Sequence, residues 1–373
     1  MLESNLPTPC FLIDRNRLKE NLTILDGIRK RVGCKLLFSQ KAFSCYPFYS
    51  MIARYLDGTS AAGEYEAQLS HLYFHGENHV CAAAYRPEEI ETLCGICDHI
   101  VFNSPTQLRR FGGQAQAAGC MVGLRVNPEI PLQQCSDYDP CAPFSRLGTT
   151  VAQFPKAERK MITGLHVHAL YEQNADALEQ LAEAVIQKFG PLLPELQWIN
   201  LGGGHALTRP EYDVDRLERC CRNLQETYGL TVYLEPGEAI AWRAGYFITT
   251  VLDMVENRIP IAIVDASAVC HTPDVTELGY YPPLQNAGEP GEAAYTVRIA
   301  GRSCLPEDIF GDYSFDHPLQ IGERLVFADM AINTITKAVM YTGMPLPSVA
   351  VREPDGSCQV LHSFSFSDYK NRM

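Results

Sequence analysis

Four features of this sequence could do chemistry together, and each lies at or just past the end of a short apolar run. Lys41 follows the first such run, and His168 lies near the end of the sixth. The triplet Gly202–Gly204 ends the seventh run, and Glu235 lies near the end of the eighth. A lysine that loses its proton can form an imine with an aldehyde, and consecutive glycines let backbone N–H groups approach a phosphate closely.

The chemistry of these features converges on one kind of ligand. A glutamate can pair with a pyridinium nitrogen, and an imidazole can stack on a ring. An aldehyde, a phosphate and a pyridine ring occur together in pyridoxal 5′-phosphate (PLP). A lone lysine is usually just solvated and a glycine triplet is usually just a turn, so neither carries much weight alone. The prediction of a PLP site therefore depends on the elements that would bring the four features together.

Short apolar runs alternate with segments of helical spacing through much of the chain. The runs are 35–40, 55–62, 79–84, 99–104, 121–127, 162–169, 197–204 and 230–237. Before them, Leu18, Leu22, Leu25 and Ile28 recur every three or four residues, which is the spacing of a helix. Eight strands alternating with helices predict an α/β fold, a (β/α)8 TIM-like barrel over 15–240. In such barrels the chemistry lies at the C-terminal ends of the strands, where the four features are found.

The pattern changes beyond residue 240. Strand-like segments separated by glycine and proline follow one another, and no strong helical pattern interrupts the first three. The segments are GYFITTVLDMVE, PIAIVDASAV, AYTVRIAG and ERLVFADMA. The sequence therefore predicts a C-terminal all-β domain over 241–373. A strand-like segment at 8–14 precedes the first barrel helix, and we expect it to join this β-domain.

The composition limits the class of protein. The 373 residues are 46% hydrophobic and 20% charged, which favours two folded domains and excludes a disordered chain. The formal charge of -13 argues against nucleic-acid binding and is a weak indication of a cationic ligand. No apolar run is long enough to span a membrane, and no secretion signal is visible. The 14 cysteines then indicate reduced thiols in the cytoplasm, and their irregular spacing predicts no metal site.

Longer blocks of the sequence carry a family resemblance over essentially the whole chain. They are TPCFLID, QKAF, DGTSAAGEYEA, GLHVHALYEQ, INLGGGH, YDVDRL, LEPGEAIA, GRSCLPEDIFGDYSF and DMAINT, in this order. In these blocks the sequence resembles the fold-type III PLP-dependent decarboxylases, an alanine racemase-like group that includes ornithine and diaminopimelate decarboxylases. Within that group the resemblance is closest to the carboxynorspermidine/carboxyspermidine decarboxylase family.

The resemblance implies a role for each residue of a cofactor site. Lys41 would bind PLP covalently, and His168 would stack on the face of its ring. The triplet Gly202–Gly204 would hold the phosphate, and Glu235 would keep the ring nitrogen protonated. Asn333 stands where the family has a tyrosine near the phosphate.

The resemblance also implies the reaction and its substrate. The α-carboxylate of a cationic amino acid would be removed, with carboxynorspermidine or carboxyspermidine as the expected substrate, in polyamine and spermidine biosynthesis. Cys304 would return a proton to the substrate, and Glu238, Asp274 and Asp308 would contact it. Acidic contacts are expected because a cationic tail buried without carboxylates would be costly. Related enzymes share active sites between two subunits, so a homodimer is implied.

Some residues have a second interpretation that the sequence leaves open. Cys304 could be one more buried thiol, and Asp274 could cap a turn. His166 lies two residues before His168, so on a strand both face the same way and either could stack on a ring. Arg146 could meet a carboxylate or belong to a plain surface turn.

Several positions depart from the family pattern around the phosphate and the substrate. Ile332 and Asn333 replace a histidine and a tyrosine, Tyr281 stands in place of an arginine, and Pro306 stiffens the CLPED loop. The sequence does not decide whether His205, after the glycine triplet, contacts the ligand. Three hypotheses follow: decarboxylation of carboxynorspermidine or carboxyspermidine, decarboxylation of a different amino acid in a specialised pathway, and PLP binding without turnover.

Overall fold

The computed structural model describes residues 5–133 and 138–373. The chain forms two compact units, a barrel made by residues 21–240 and a sheet unit made by residues 5–20 together with 241–373. None of the helices in these described stretches has both the length and the apolar character needed to cross a membrane.

The barrel is closed and consists of eight parallel strands. The first strand, β1 (Cys10–Asp14), belongs to the sheet unit. The barrel strands are β2 (Lys35–Ser39), β3 (Gly58–Ala61), β4 (Glu77–Cys81), β5 (His99–Phe102), β6 (Met121–Arg125), β7 (Gly164–His166), β8 (Trp198–Asn200) and β9 (Thr231–Leu234). Each strand pairs with the next, and β9 closes the barrel against β2. Each apolar run of the sequence overlaps one of these strands, so the predicted barrel is confirmed.

Helices alternate with the barrel strands. They are α1 (Arg15–Val32), α2 (Tyr49–Ile52), α3 (Glu64–Tyr73), α4 (Pro87–Ile96), α5 (Pro105–Ala117), α6 (Ala175–Phe189), α7 (Val214–Tyr228) and α8 (Glu238–Ala241). Leu18, Leu22, Leu25 and Ile28 of α1 are all buried, as their spacing predicts. Between β6 and β7 the described residues form only short 3₁₀ turns, so the regular alternation is interrupted there.

Packing inside the barrel depends on one large side chain. Trp198 forms a buried cluster with Leu37, Val101 and Tyr233. These four residues come from four different strands. A Cβ atom at Gly164 on the neighbouring strand would lie 2.0 Å from the Trp198 ring. Glycine at this position therefore makes room for the indole in the core.

The second unit is built on a sheet of eight strands. They are β1 (Cys10–Asp14), β10 (Gly245–Asn257), β11 (Ile259–Val264), β12 (Tyr295–Ala300), β13 (Ile309–Phe315), β14 (Arg324–Ala328), β15 (Ser348–Arg352) and β16 (Cys358–His362). The order is β13-β12-β11-β10-β1-β15-β16, and β14 also pairs with β10. The strand β1 is antiparallel to β10 and parallel to β15. The predicted fold class, a barrel with a β-domain, is thus confirmed.

The sheet unit also contains short helices, of which three lie between its strands and α12 follows its last strand. They are α9 (Ala268–His271), α10 (Pro273–Leu278), α11 (Thr334–Lys337) and α12 (Phe366–Arg372). The sequence pattern did not predict them, because helices of only one or two turns are too short to show a 3.6-residue period. Phe310 and Phe327 stack at 5.0 Å in the core of this unit.

Candidate active site

A cavity of about 260 Å³ is lined by residues at the C-terminal ends of the barrel strands. Its lining includes Lys41 after β2, His168 after β7 and Glu235 after β9. Cys81 at the end of β4 and Arg125 at the end of β6 also line it, although the sequence analysis did not single them out. Side chains from several strand ends therefore converge on one site, as in other barrel enzymes.

Glu235 is a buried carboxylate that is 5% exposed. Asn200 Nδ2 donates a hydrogen bond to Glu235 Oε1 at 2.8 Å, and His166 Nε2 lies 3.4 Å from the same oxygen. Burial acts to raise the pKa of Glu235, but the charge of His166 beside it holds this pKa well below the usual range. Glu235 is therefore an anion, the state that pairs with a protonated ring nitrogen.

His168 is held as a neutral imidazole. Gly203 N–H donates to His168 Nδ1 at 3.1 Å, so the ring proton is on Nε2, which lies 3.4 Å from Lys41 Nζ. Burial, with the charge of Lys41, lowers the pKa of His168 to about 3. Because Nδ1 already accepts a hydrogen bond from the backbone N–H of Gly203, it cannot donate to Glu235 Oε2 at 3.6 Å. The ring is fixed in one tautomer and orientation.

Cys81 and His166 form a second pair of titratable groups in the site. Cys81 Sγ lies 3.7 Å from His166 Nδ1, and His166 is 2% exposed. Burial acts to lower the pKa of His166, but Cys81 and Glu235 raise it above its usual value. Burial acts to raise the pKa of Cys81, but His166 lowers it. The one sequence signal for Cys81 is strand alternation, which places it on the same face as His79.

The glycine triplet after β8 forms a tight turn. Gly202 and Gly204 have φ angles of 74° and 82°, and a Cβ on Gly204 would lie 2.0 Å from the carbonyl oxygen of Leu170. Both the backbone conformation and the lack of space therefore require glycine here. The N–H groups of Gly202 and Gly203 already donate to neighbouring side chains, at 2.8 Å and 3.1 Å. Within the described residues Gly204 N–H makes no such bond, so it is the amide of this triplet that a phosphate can use.

Glu238 lies at the start of α8, three residues after Glu235. Arg209 Nη2 lies 2.5 Å from Glu238 Oε1 and 2.6 Å from Glu172 Oε2. We call these three residues, Glu172, Arg209 and Glu238, the Glu238 cluster. Two carboxylates share one guanidinium, so the cluster carries a net charge of about -1.

Four of the residues assigned by resemblance lie in the sheet unit. Asp274, at the start of α10, is buried and forms an ion pair with Lys337. The Asp308 carboxylate is buried and accepts hydrogen bonds from the backbone N–H groups of three residues. Cys304 is exposed, unlike the other cysteines of the described chain. Asn333 has a φ of 61° and precedes the first turn of α11.

The sequence did not decide whether His205 and Arg146 contact a ligand. Neither of them is among the described residues that line the cavity. His205 is buried, and its Nε2 lies 3.1 Å from the carbonyl oxygen of Gly202. This contact stabilises the glycine turn through the backbone of Gly202. Arg146 is exposed, and its backbone carbonyl accepts a hydrogen bond from Asn103 Nδ2 at 2.9 Å.

One cluster inside the barrel has donor atoms of the kind that bind metals. The ligand atoms of Glu77, His79 and His99 lie within 4.8 Å of one another. However, Glu77 already accepts hydrogen bonds from Lys35 and from Tyr233 Oη. The two imidazole rings stack at 3.8 Å and 12°, so their nitrogen lone pairs do not converge on one point. The cluster is best described as a polar network of the barrel core.

Comparison with known proteins identifies the chemistry of this site. Residues 10–331 match the family model described as pyridoxal-dependent decarboxylase, C-terminal sheet domain. The chain belongs to the pyridoxal-dependent decarboxylase family.

This decarboxylase is similar to known relatives over its full length. It is 34% identical to a carboxynorspermidine/carboxyspermidine decarboxylase of Campylobacter jejuni, over 100% of both chains. It is also 34% identical to a carboxyaminopropylagmatine decarboxylase of Synechocystis sp., over 99% of this chain and 96% of the relative. The crystal structure of C. jejuni carboxynorspermidine decarboxylase with norspermidine has a TM-score of 0.93 at 33% identity, and the match covers 99% of this chain and 100% of that one. The resemblance inferred from the sequence blocks is confirmed.

The decarboxylase is an enzyme that uses PLP, and the cavity fits this cofactor. It offers a lysine amine, an anionic carboxylate for a pyridinium nitrogen, and a neutral imidazole of fixed orientation. It also offers a glycine turn that a side chain would obstruct. Because the family consists of decarboxylases, the hypothesis of a PLP-binding protein without turnover is not retained.

Proposed function

We propose that this enzyme decarboxylates carboxynorspermidine or carboxyspermidine in polyamine biosynthesis. The observation that carries the proposal is the full-length similarity to the C. jejuni enzyme whose structure contains norspermidine. The barrel cavity supports it, because Lys41 lines it together with a neutral His168 imidazole and an anionic Glu235 carboxylate.

In this proposal, residues of the barrel bind and orient the cofactor. Lys41 would hold PLP through its aldehyde carbon, and the cofactor would supply an electron sink for the decarboxylation when bound. Glu235 accepts a hydrogen bond from the ring nitrogen and keeps it protonated. His168 packs on the ring face, and Gly204 N–H binds the phosphate, to which Asn333 is assigned by resemblance.

The cationic part of the substrate needs negative charge that is not fully neutralised. The Glu238 cluster provides one such position, with two carboxylates for one guanidinium. Lys337 likewise shares its charge between Asp274 and Glu277. Each group keeps a net charge of about -1, so an ammonium group of the substrate can join it without displacing the protein cation. Asp308, held by backbone N–H groups, is the third acidic residue that the resemblance assigns to the substrate.

Cys304 is the proposed proton donor to the substrate α-carbon after CO2 leaves. Its exposure is compatible with this role, since a buried core thiol could not reach a ligand.

The resemblance assigns the loop that contains Cys304 to the active site of a partner subunit. We therefore propose a homodimer, and we place it in the cytoplasm. Mixing inactive Lys41→Ala and Cys304→Ala subunits should then restore activity by forming one intact site per hybrid dimer. Two variants that remain inactive after mixing would argue against shared sites.

Carboxyaminopropylagmatine is a second candidate substrate, to be compared with carboxynorspermidine and carboxyspermidine. The Synechocystis relative that acts on carboxyaminopropylagmatine is as similar to this chain as the C. jejuni enzyme is, at 34% identity. That substrate ends in a guanidinium group, which two carboxylates can bind in a planar, bidentate manner. This alternative belongs to the hypothesis of a different amino acid on the same machinery.

The test is CO2 release measured over a panel of cationic amino acids. We expect the highest kcat/KM for carboxynorspermidine or carboxyspermidine, and lower values for carboxyaminopropylagmatine, ornithine and diaminopimelate. A preference for carboxyaminopropylagmatine would replace the first substrate with the second. Turnover of only an amino acid without a polyamine tail would reject both.

A further inference from the structure

We propose that Cys81 and His166 form a thiol–imidazole pair that holds the Glu235 carboxylate in the orientation and charge state required by the ring nitrogen of PLP. Both would be positioning residues, because they act on the cofactor through Glu235. The inference rests on the proposed function of the cavity, but it does not depend on which amino acid is the substrate.

Three side chains from three strand ends form a continuous chain of contacts. Cys81 Sγ lies 3.7 Å from His166 Nδ1, and His166 Nε2 lies 3.4 Å from Glu235 Oε1. Each nitrogen of the imidazole thus faces a group that is, or can become, an anion. Transfer of the thiol proton from Cys81 to Nδ1 gives a thiolate and an imidazolium, and it requires no other reactant.

The buried Glu235 carboxylate needs a positive partner, and its other neighbours do not supply one. Asn200 contributes a neutral hydrogen bond at 2.8 Å. His168 cannot donate to the carboxylate, because its Nδ1 accepts from Gly203 N–H. A buried carboxylate without a cationic partner is costly, so His166 is the neighbour in direct reach that can balance the charge.

Other charged and titratable groups surround the pair. Arg125 at the end of β6 favours the thiolate form of Cys81 and lowers its pKa, whereas Glu235 opposes it. Tyr85, also close to Cys81, has a pKa well above its usual value because it is buried, so it stays neutral. His79 lies two residues before Cys81 on β4, and burial lowers its pKa, so it is neutral too. His166 is therefore the neighbour that determines whether Cys81 is a thiol or a thiolate.

Cys81 differs from the ordinary buried cysteines of this chain. Burial raises the pKa of Cys45 to about 12 and that of Cys141 to about 11. These two thiols behave as small apolar groups. Cys81 is shifted in the opposite direction and lines the cavity, so its chemical reactivity should differ measurably from theirs.

The first experiment measures the reactivity of Cys81 with iodoacetamide in the full-length protein freed of PLP. The rate at each pH is read from the modified peptide by mass spectrometry. In the wild type, Cys81 should react at a pH well below the usual thiol range. His166→Gln should move the midpoint upward by about two pH units, towards the free thiol value. Half-buried Cys358, on β16 of the sheet unit, is the internal control, and its profile should not change.

An equal midpoint for Cys81 in the wild type and in His166→Gln would overturn the proposal, and so would a Cys81 that does not react at any pH. Loading the protein with PLP should slow the reaction at Cys81 but not at Cys358, because of these two thiols only Cys81 lines the barrel cavity.

The second experiment tests whether Cys81 acts through its negative charge or only through its packing. Cys81→Asp retains an anion beside His166, whereas Cys81→Ser retains the shape but not the charge. We expect Cys81→Asp to bind PLP about tenfold more tightly than Cys81→Ser, measured by absorbance titration. We also expect the pH profile of the cofactor absorbance to stay close to wild type only in the aspartate variant. If serine preserves both readouts better than aspartate, the role of Cys81 is packing, and the proposal fails.

These readouts do not involve decarboxylation of any particular amino acid. A failure of the substrate proposal would leave them unchanged, whereas a failure of the Cys81–His166 pair would leave the substrate preference unchanged. The two outcomes can therefore be told apart.

Discussion

Lys41 is the residue whose loss should have the clearest effect. Its Nζ lies 3.4 Å from the Nε2 of a neutral imidazole and lines the cavity, where PLP is expected to bind covalently. Lys41→Ala should abolish the visible absorbance of the covalently bound cofactor and reduce CO2 release below detection. Lys30→Ala, on the exposed side of α1, is a matched control that should keep both. An unchanged spectrum in Lys41→Ala would disprove the assignment.

Cys304 should affect turnover without affecting the cofactor. Cys304→Ala removes the proposed proton donor, so kcat should fall about 100-fold or more, since positioned acids and bases contribute on that order. The absorbance of bound PLP should remain, because Cys304 is not among the residues assigned to the cofactor. Cys358→Ala, which removes a half-buried thiol of the same unit, should behave like the wild type. Wild-type kinetics for Cys304→Ala would leave Cys304 without a catalytic role.

Residues differ in how readily the sequence reveals them. Lys41, His168 and Glu235 could be predicted because each lies where a predicted barrel strand ends. The contact between Cys81 and His166 joins residues that are 85 positions apart, and strand alternation at each position does not show that the two side chains meet. Contacts of this kind depend on the register and curvature of the closed barrel, which the sequence does not display.

Among the elements, the turn after β8 gives the sharpest prediction. Gly204→Ala would place a Cβ 2.0 Å from the Leu170 carbonyl oxygen, in a backbone with a φ of 82°. We expect a loss of about 2 kcal/mol or more in the free energy of unfolding, together with weaker PLP binding. Gly113→Ala is the control, because a Cβ there meets nothing within 4 Å and the residue lies inside α5. It should stabilise the protein by about 0.5 kcal/mol. Equal denaturation midpoints for the two variants would contradict this account.

The elements themselves were predictable where their patterns are long. The barrel strands are marked by apolar runs, and α1 is marked by four apolar residues at helical spacing. The region between β6 and β7 departs from the regular alternation, and α9 and α10 interrupt the sheet unit without any sequence signal. These parts are shaped by tertiary contacts and turns rather than by periodicity.

The whole molecule should be sensitive to acid when PLP is absent. Burial lowers the pKa of five histidines in the described chain. They are His79, His99, His168, His205 and His271. As pH falls below about 6.5, these groups bind protons in the unfolded chain but stay neutral in the folded one, so stability decreases. For His205 and His271 the effect continues down to about pH 4, where these two histidines bind protons in the folded protein.

Thermal unfolding of the PLP-free protein between pH 8 and pH 5 measures this effect. Each histidine contributes up to about 1.4 kcal/mol per pH unit below its unfolded pKa, so the Tm should drop steeply below pH 6.5. The variant His205→Gln removes one of these groups, and it should make the decrease shallower while lowering the Tm at pH 8. A Tm that is constant over this range would show that the imidazoles are not held neutral.

The pairing of β1 has a consequence for how the protein is made. Residues 10–14 are hydrogen-bonded to residues 348–352 in the finished sheet, and the complete barrel lies between them in the sequence. On the ribosome, the barrel strands have all emerged before the partner strand β15 has been synthesised. Both edges of β1 therefore stay unpaired until β10 is synthesised, and one edge stays unpaired until β15 follows. Such an exposed edge is a place where nascent chains associate with one another, so slow elongation or a missing C-terminal segment should favour aggregation over a stable half-built enzyme.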